Sequence, residues 1–207
     1  MPFLVDELLK PKMVDVCSKA MNRTTVTIEP LERGFGYTLG YALRRILLSS
    51  IAGAAIVDVN IEGVLHEYSV IDGVAEDVVD IILNLKQVSI KMDEEMDEAT
   101  ISLTADKEGA VCAGDIQLTA GVEIINPECH IATLNKKGKL NMTMTVKRGR
   151  GYVPVTPMDQ ENSAIGAILI DASYSPIRKI SYHVEAARVE NRTDLDKLIL
   201  EIETNGS

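Results

Sequence analysis

The chain has no tryptophan, two phenylalanines and six tyrosines among 207 residues. A core of that composition must be built from Ile, Leu, Val, Ala and Met. Three cysteines, Cys17, Cys112 and Cys129, make an odd and widely spaced set. They exclude a disulfide framework and point to a reducing compartment, with burial as small hydrophobes the default for each. Basic residues are few: 21 Lys and Arg against 31 Asp and Glu leave a formal charge of −10. Nucleic-acid binding draws most of its affinity from Lys and Arg on phosphates, so this chain is poorly composed to grip DNA alone. No apolar run reaches the length of a membrane span. Residues 1–12 lack the basic start and apolar stretch of a signal peptide. A cytoplasmic protein is expected.

Chemistry-bearing motifs are missing as well. No GxxxxGK[ST], HExxH, CxxC or GxSxG occurs. His66, His130 and His183 are far apart, and adjacent Cys129 and His130 are poorly placed to share one metal. No catalytic residue, cofactor site or metal site is expected. An enzyme using carboxylates would have only the abundance of Asp and Glu behind it.

What is present is ordinary for a globular protein: 46% hydrophobic and 25% charged residues. The length allows one large domain or two small ones. Strand signals dominate. Thr24–Glu32 opens with β-branched residues at period two. Val57, Val59 and Ile61 alternate with Asp58, Asn60 and Glu62. Leu140, Met142, Met144 and Val146 alternate likewise, as do Ile180, Tyr182 and Val184. The closing stretch 193–206 reads as helix or strand, with Leu198, Leu200 and Ile202 favouring strand. Residues 72–86 read as a helix with the stripe Val74, Val78, Ile81, Ile82 and Leu85. Residues 156–163 read as a loop. Strands in runs, rather than in regular alternation with helices, favour an α+β protein.

Two stretches stand out. "VKRGRGYVP" (146–154) sets Lys147, Arg148 and Arg150 among glycines; it reads as a solvated turn or as a basic contact. "LERGFGYTLGYALRRILLSS" (31–50) reads as a helix capped near Thr38. Its core face is expected to hold Leu39, Ala42, Leu43, Ile46 and Leu47. Tyr37, Tyr41 and Leu48 then fall opposite, flanked by Arg44 and Arg45. A helix apolar on both sides is buried on both sides, and Tyr and Arg are enriched at protein interfaces. A second chain is the favoured cover.

The stretch "EPLERGFGYTLGYALRRILLSS" resembles the N-terminal domain of the bacterial RNA polymerase α subunit family. "IEGVLHEYSVIDGVAEDVVDIILNLK", "RGRGYVP" and "DASYSPIRKISYHVEAARVENRTDLDKLILEIETNG" resemble further blocks of that family, in family order and over essentially the whole chain. The resemblance implies two domains in an α+β fold. One is a dimerisation domain from both chain ends, 1–52 and 180–207; the other is an inserted β-rich domain, 53–179.

It also implies a non-catalytic assembly subunit. Two copies pair, and the dimer scaffolds the β and β′ subunits. Carried over on matching positions, Arg45, Arg44, Leu48, His66 and Glu67 are expected to contact β. Phe35, Leu39, Leu43, Ile46, Leu47 and Tyr41 are expected at the dimer interface. Arg148, Arg150, Arg188 and Arg192 are candidate large-subunit contacts. Two departures are noted. Tyr37 and Tyr41 stand where family members often carry His and Asn. The family continues past the position of Ser207 with a further helix, a linker and a DNA-binding domain. This chain is therefore expected to make no direct promoter contact. The alternative reading is an acidic dimeric interaction module outside transcription.

Overall fold

The computed structural model describes residues 11, 13–156, 166–189 and 192–207. In chain order, β1 (Met13–Ala20) and β2 (Arg23–Leu31) form a hairpin, and α1 (Phe35–Ser49) follows. Next come β3 (Ala52–Ile61), α2 (Val78–Leu85), β4 (Ile90–Met92), β5 (Glu98–Ala105) and β6 (Gly109–Cys112). A 3-10 turn at Ala113–Asp115 leads to β7 (Ile116–Gln117), β8 (Val122–Ile124), β9 (His130–Leu134) and β10 (Leu140–Arg150). Then follow β11 (Tyr152–Val153), β12 (Ala167–Leu169), β13 (Ala172–Ser173), β14 (Ile177–Val189) and β15 (Arg192–Thr204). The described chain is thus mostly β.

It divides into two compact units. One is Met1–Ile51 with Pro176–Gly206; the other is essentially Ala52–Ser175. The second is a β domain inserted into the first.

In the first unit the strands run β1-β2-β15-β14, all antiparallel. Period-two alternation builds one apolar face: Leu198 pairs with Ile28, and Leu200 with Val26. Ile180, Tyr182 and Val184 of β14 extend it, and Leu39, Leu43 and Leu47 of α1 pack on it. The helix sits very close to the sheet because its two buried residues are Gly36 and Gly40. A Cβ on Gly40 would lie 2.5 Å from Tyr182 Cδ2 and 3.0 Å from Leu198 Cδ1. One on Gly36 would lie 2.7 Å from Val184 Cγ1.

Thr38 is not the cap. The helix starts one turn earlier, after Gly34, whose φ of 87° favours glycine. Its end is capped from afar. Asp196 Oδ2 accepts from the N–H groups of Gly34 (2.7 Å) and Gly36 (3.1 Å). That satisfies otherwise orphaned donors and sets a negative charge at the positive end of the helix.

In the second unit the main sheet runs β7-β5-β10-β3-β4-β8, with β12 also on β3. Met142 lies between Leu103 and Ile61, and Met144 between Ile101 and Val59. All six are buried, together with Val78, Ile81 and Leu85 of α2. The helix is shorter than its periodicity suggests. It begins at Val78, where Asp77 Oδ1 accepts from Asp80 N–H at 2.8 Å. Upstream, backbone bonds go elsewhere: Val74 bridges Leu134, and Ala75 N–H donates to Thr133 O at 3.0 Å. Gly73 adopts φ 85°, which a helix cannot hold.

The stretch 146–150 is not a turn but the end of β10, paired with β3. The turn is confined to Gly151, at φ 66°. The closing stretch is strand β15. Of the expected loop 156–163, residues 157–163 lie outside the described residues.

Glu76 ties the α2 approach to β9. It accepts from Thr133 N–H (2.6 Å) and Thr133 Oγ1 (3.0 Å) and lies 2.9 Å from His130 Nε2. Partial burial pushes its pKa up, but the His130 and Thr133 hydrogen bonds outweigh this and leave it below the ordinary glutamate value.

Two tests follow from this packing. Gly40→Ala is expected to destabilise by about 1–3 kcal/mol in urea titration, overpacking against Tyr182 exceeding the roughly 1 kcal/mol of gained helix propensity. A neutral or stabilised variant would refute the close approach. A depressed carboxylate contributes stability above its unfolded pKa and loses it as pH falls through the folded one. Glu76→Gln should therefore flatten the loss of unfolding midpoint below about pH 4.3. Curves for the two proteins that stay parallel through that range would remove Glu76 from the acid sensitivity.

Candidate protein-interaction surfaces

The outer side of α1 is unusually apolar. Tyr37 and Tyr41 are 61% and 62% exposed, and Phe35 and Ile46 50% and 53%. Leu48, Arg44 and Arg45 are also exposed. The expected core face is corrected at two positions, Ala42 and Ile46, neither of which joins the cluster under the helix. Ile46 does not face the sheet, although Leu39, Leu43 and Leu47 do. The buried stripe is Gly36, Leu39, Gly40, Leu43 and Leu47, turned roughly 50° from the face that apolarity alone selects. Two glycines, invisible to a hydrophobicity count, mark its centre.

The turn of the helix divides its exposed residues. Tyr37 shares a cleft of about 350 Å³ with Val184, Glu185 and Ala186 of β14. Phe35 and Ile46 lie roughly 160–180° round the helix, on the side of β2 and β1. There the apolar row of the sheet continues past the helix. Val14 pairs with Ile28 and Val16 with Val26, yet both β1 valines are 61% exposed. Phe35, Ile46, Val14 and Val16 are therefore large apolar side chains without cover. Leu48, Tyr41, Arg44 and Arg45 occupy the rest of the outer face. Cys17, on the same edge strand, is exposed rather than buried as expected, because it alternates with Val16 and so lies on the face of the sheet away from α1.

His66 and Glu67 belong to the other unit. Ser69 Oγ lies 3.1 Å from His66 Nδ1. Leu65, Tyr68 and Val70 around them are strongly exposed. A groove of about 660 Å³ is lined by Leu65, Tyr68, Ile82, Leu83, Lys86 and Asp171. The Val155 N–H holds the Asp171 carboxyl below its usual range, against desolvation, with help from Lys86 and the Tyr152 hydroxyl.

The basic candidates separate into committed and free. Arg192 holds Glu32 through two bonds of 3.2 and 2.9 Å and reaches Asp194 at 3.3 Å. Those carboxylates, Glu32 first, raise its already high pKa. Arg148 donates to the Glu94 carbonyl at 2.6 Å. Both therefore brace the fold. Arg188 is exposed. Arg44, Arg45 and Arg150 have no ion pair among the described residues. Among those residues no three His, Cys, Asp or Glu side chains converge to hold a metal. No described helix is long and apolar enough to cross a membrane.

Uncovered apolar side chains beside unpaired arginines suit association with other proteins. Residues 59–175 match the family described as the RNA polymerase Rpb3/RpoA insert domain. The match spans more than half of the sequence, and the chain belongs to this family, that of the N-terminal domain of the RNA polymerase α subunit. The role that family supports is that of an RNA polymerase subunit in transcription.

Arg192→Ala is expected to lower the unfolding midpoint at low salt, and the deficit should shrink towards 1 M NaCl as screening removes the ion pair from both proteins. A deficit that does not change with salt would assign Arg192 a packing role instead.

Proposed function

We propose that the chain is a non-catalytic assembly subunit of DNA-dependent RNA polymerase, acting as a homodimer that scaffolds β and β′. The observation that carries this is the apolar strip of Phe35, Ile46, Val14 and Val16 beside α1. It continues the core of the first unit outward without cover. Burial of large apolar side chains is the main driving force of association, at about 25 cal/mol per Å². An interface between two copies uses the same patch twice, so each such residue counts twice.

In this reading the first unit is the dimerisation domain. Leu39, Leu43 and Leu47 act in the dimer from beneath, by holding the helix in register. Tyr41, Leu48, Arg44 and Arg45 lie further round the helix and meet β. Arg is suited to that task because its planar fork pairs with carboxylates and stays charged. His66 and Glu67 add to the β contact from the inserted unit. Arg150 and Arg188 are offered to the large subunits. The work requires no cofactor and belongs in the cytoplasm.

Two substitutions test the division of labour. Ile46→Glu should shift the chain from dimer to monomer in sedimentation, with the dimer Kd raised about tenfold or more, and leave the unfolding midpoint nearly unchanged. Arg45→Ala should keep the dimer and the circular dichroism spectrum but lose retention of β in a pull-down. If Ile46→Glu still dimerises, the strip is not the interface. If Arg45→Ala still holds β, the arginine face is not the contact.

A further inference from the structure

The four-stranded sheet of the first unit ends on β14, whose 13 residues pair with β15 along one side only. Thr204 N–H donates to Asn22 O, and Asn205 N–H to Pro176 O. In an antiparallel ladder the backbone groups of successive residues point to opposite sides. Leu198, Leu200 and Ile202 therefore bond towards β2, and Ile199, Glu201 and Glu203 towards β14. The partners of these last three on β14 are His183, Ser181 and Lys179. The N–H and C=O groups of Ile180, Tyr182, Val184 and Ala186 are left pointing away from the sheet. Among the described residues no strand pairs with them.

An open edge is a template for further pairing, and proteins blunt such edges with proline, bulges or charge. From Ile177 to Val189 there is no proline. Register shifts fall only near the two ends, so Ile180–Ala186 runs unbroken against Asp196–Ile202 over roughly 20 Å. The charged side chains of that run, His183 and Glu185, lie on the face away from α1. Glu185 is engaged there by His183 and Lys197, each at 3.7 Å.

The edge also has a pocket. Gly36 and Gly40 bring α1 down over Val184 and Tyr182. Tyr37, about 100° round the helix from Gly36 and on the side opposite Phe35, overhangs β14. It is 61% exposed and shares its cleft of about 350 Å³ with Val184, Ala186 and Leu195. The carboxylates of the cleft are committed. Asp194 is held by Arg192, with Arg33 nearby, and Asp196 by the start of α1. What the cleft leaves unsatisfied is apolar.

We propose that β14 takes up an extended segment of a partner protein as a fifth strand, with a large apolar side chain of that segment in the cleft beside Tyr37. Main-chain bonds to the four open residues hold the segment, and the cleft selects it. Every second residue of the segment faces the α1 side and is apolar, to meet Tyr182 and Val184; the others are polar. Self-pairing of β14, added to the dimer proposed above, would join copies into an open filament, so the occupant is a different chain. That choice of occupant rests on the dimer reading; the open edge does not.

The test begins with amide hydrogen exchange on the full chain. The amides of Ile180, Tyr182, Val184 and Ala186 should exchange about tenfold or more faster than those of Ser181 and His183. A random nine-residue peptide library is then selected on the chain. The strongest binder should alternate apolar and polar residues and slow the four amides about tenfold or more. N-methylation of its alternate amides that face β14 should weaken binding about tenfold or more, and N-methylation of the other set should not. Ala186→Pro removes one outward N–H at an edge position that tolerates proline, and should abolish binding with the circular dichroism spectrum unchanged. If that variant is misfolded, the two N-methylated peptides decide alone. The proposal is overturned if no selected peptide protects the four amides, or if both N-methylated forms bind alike. Slow exchange of the four amides in the chain alone would also overturn it, and would assign the edge to a second copy if Ala186→Pro removes oligomers larger than a dimer. Ile46→Glu keeps the two readings apart: it acts on the dimer and should leave protection by the peptide unchanged.

Discussion

Much in the first unit depends on how closely α1 lies on β14 and β15. Gly36 and Gly40 allow that approach, and Asp196 fixes the helix start by accepting two of its free N–H groups. Close packing under two glycines leaves the neighbouring leucines, Leu39, Leu43 and Leu47, to fill the sides. It also rotates Phe35, Ala42 and Ile46 away from the sheet centre. The exposure of Phe35 and Ile46, on which the proposed dimer contact rests, is a consequence of this rotation. A helix standing higher on larger side chains would expose other residues.

The inserted unit is organised around long strand β10, flanked by β5 and β3. Its methionines Met142 and Met144 are central to the core, as a chain poor in aromatics requires. Around that core, charge is handled in two ways. Arg148, Lys86 and Lys147 are spent on local contacts, whereas Arg150 is not. The same distinction holds in the first unit, where Arg192 clamps Glu32 while Arg44 and Arg45 stand free. Basic residues that look alike in sequence divide into braces and contacts only through their neighbours.

Strands with clean alternation were legible: β3, β10 and β14 follow from residue order because each has one buried and one wetter face. Strands β1, β6 and β9 were not read. β1 has no buried face, and β6 and β9 are short strands of a separate two-stranded sheet. The start of α2 was misplaced because Val74 fits the helical stripe but is buried by a bridge to Leu134. The basic stretch 146–150 looked like a turn because of its glycines. Gly149 instead packs under the ring of Tyr174, which leaves no room for a side chain.

The family and the outward-facing arginines of α1 were determined by the sequence itself. Both rest on local residue order, and local order fixes which side chains share a helix face. The facing of Ile46, the exposure of Cys17 and the commitment of Arg148 and Arg192 were decided only by tertiary structure. Each depends on atoms distant in the chain: Tyr182 and Leu198 under Gly40, a sheet face opposite α1 that no described element covers at Cys17, a carbonyl at Glu94, a carboxylate at Glu32. Periodicity records which faces are apolar. Which face is covered depends on how near another element can come, and here that is governed by two glycines.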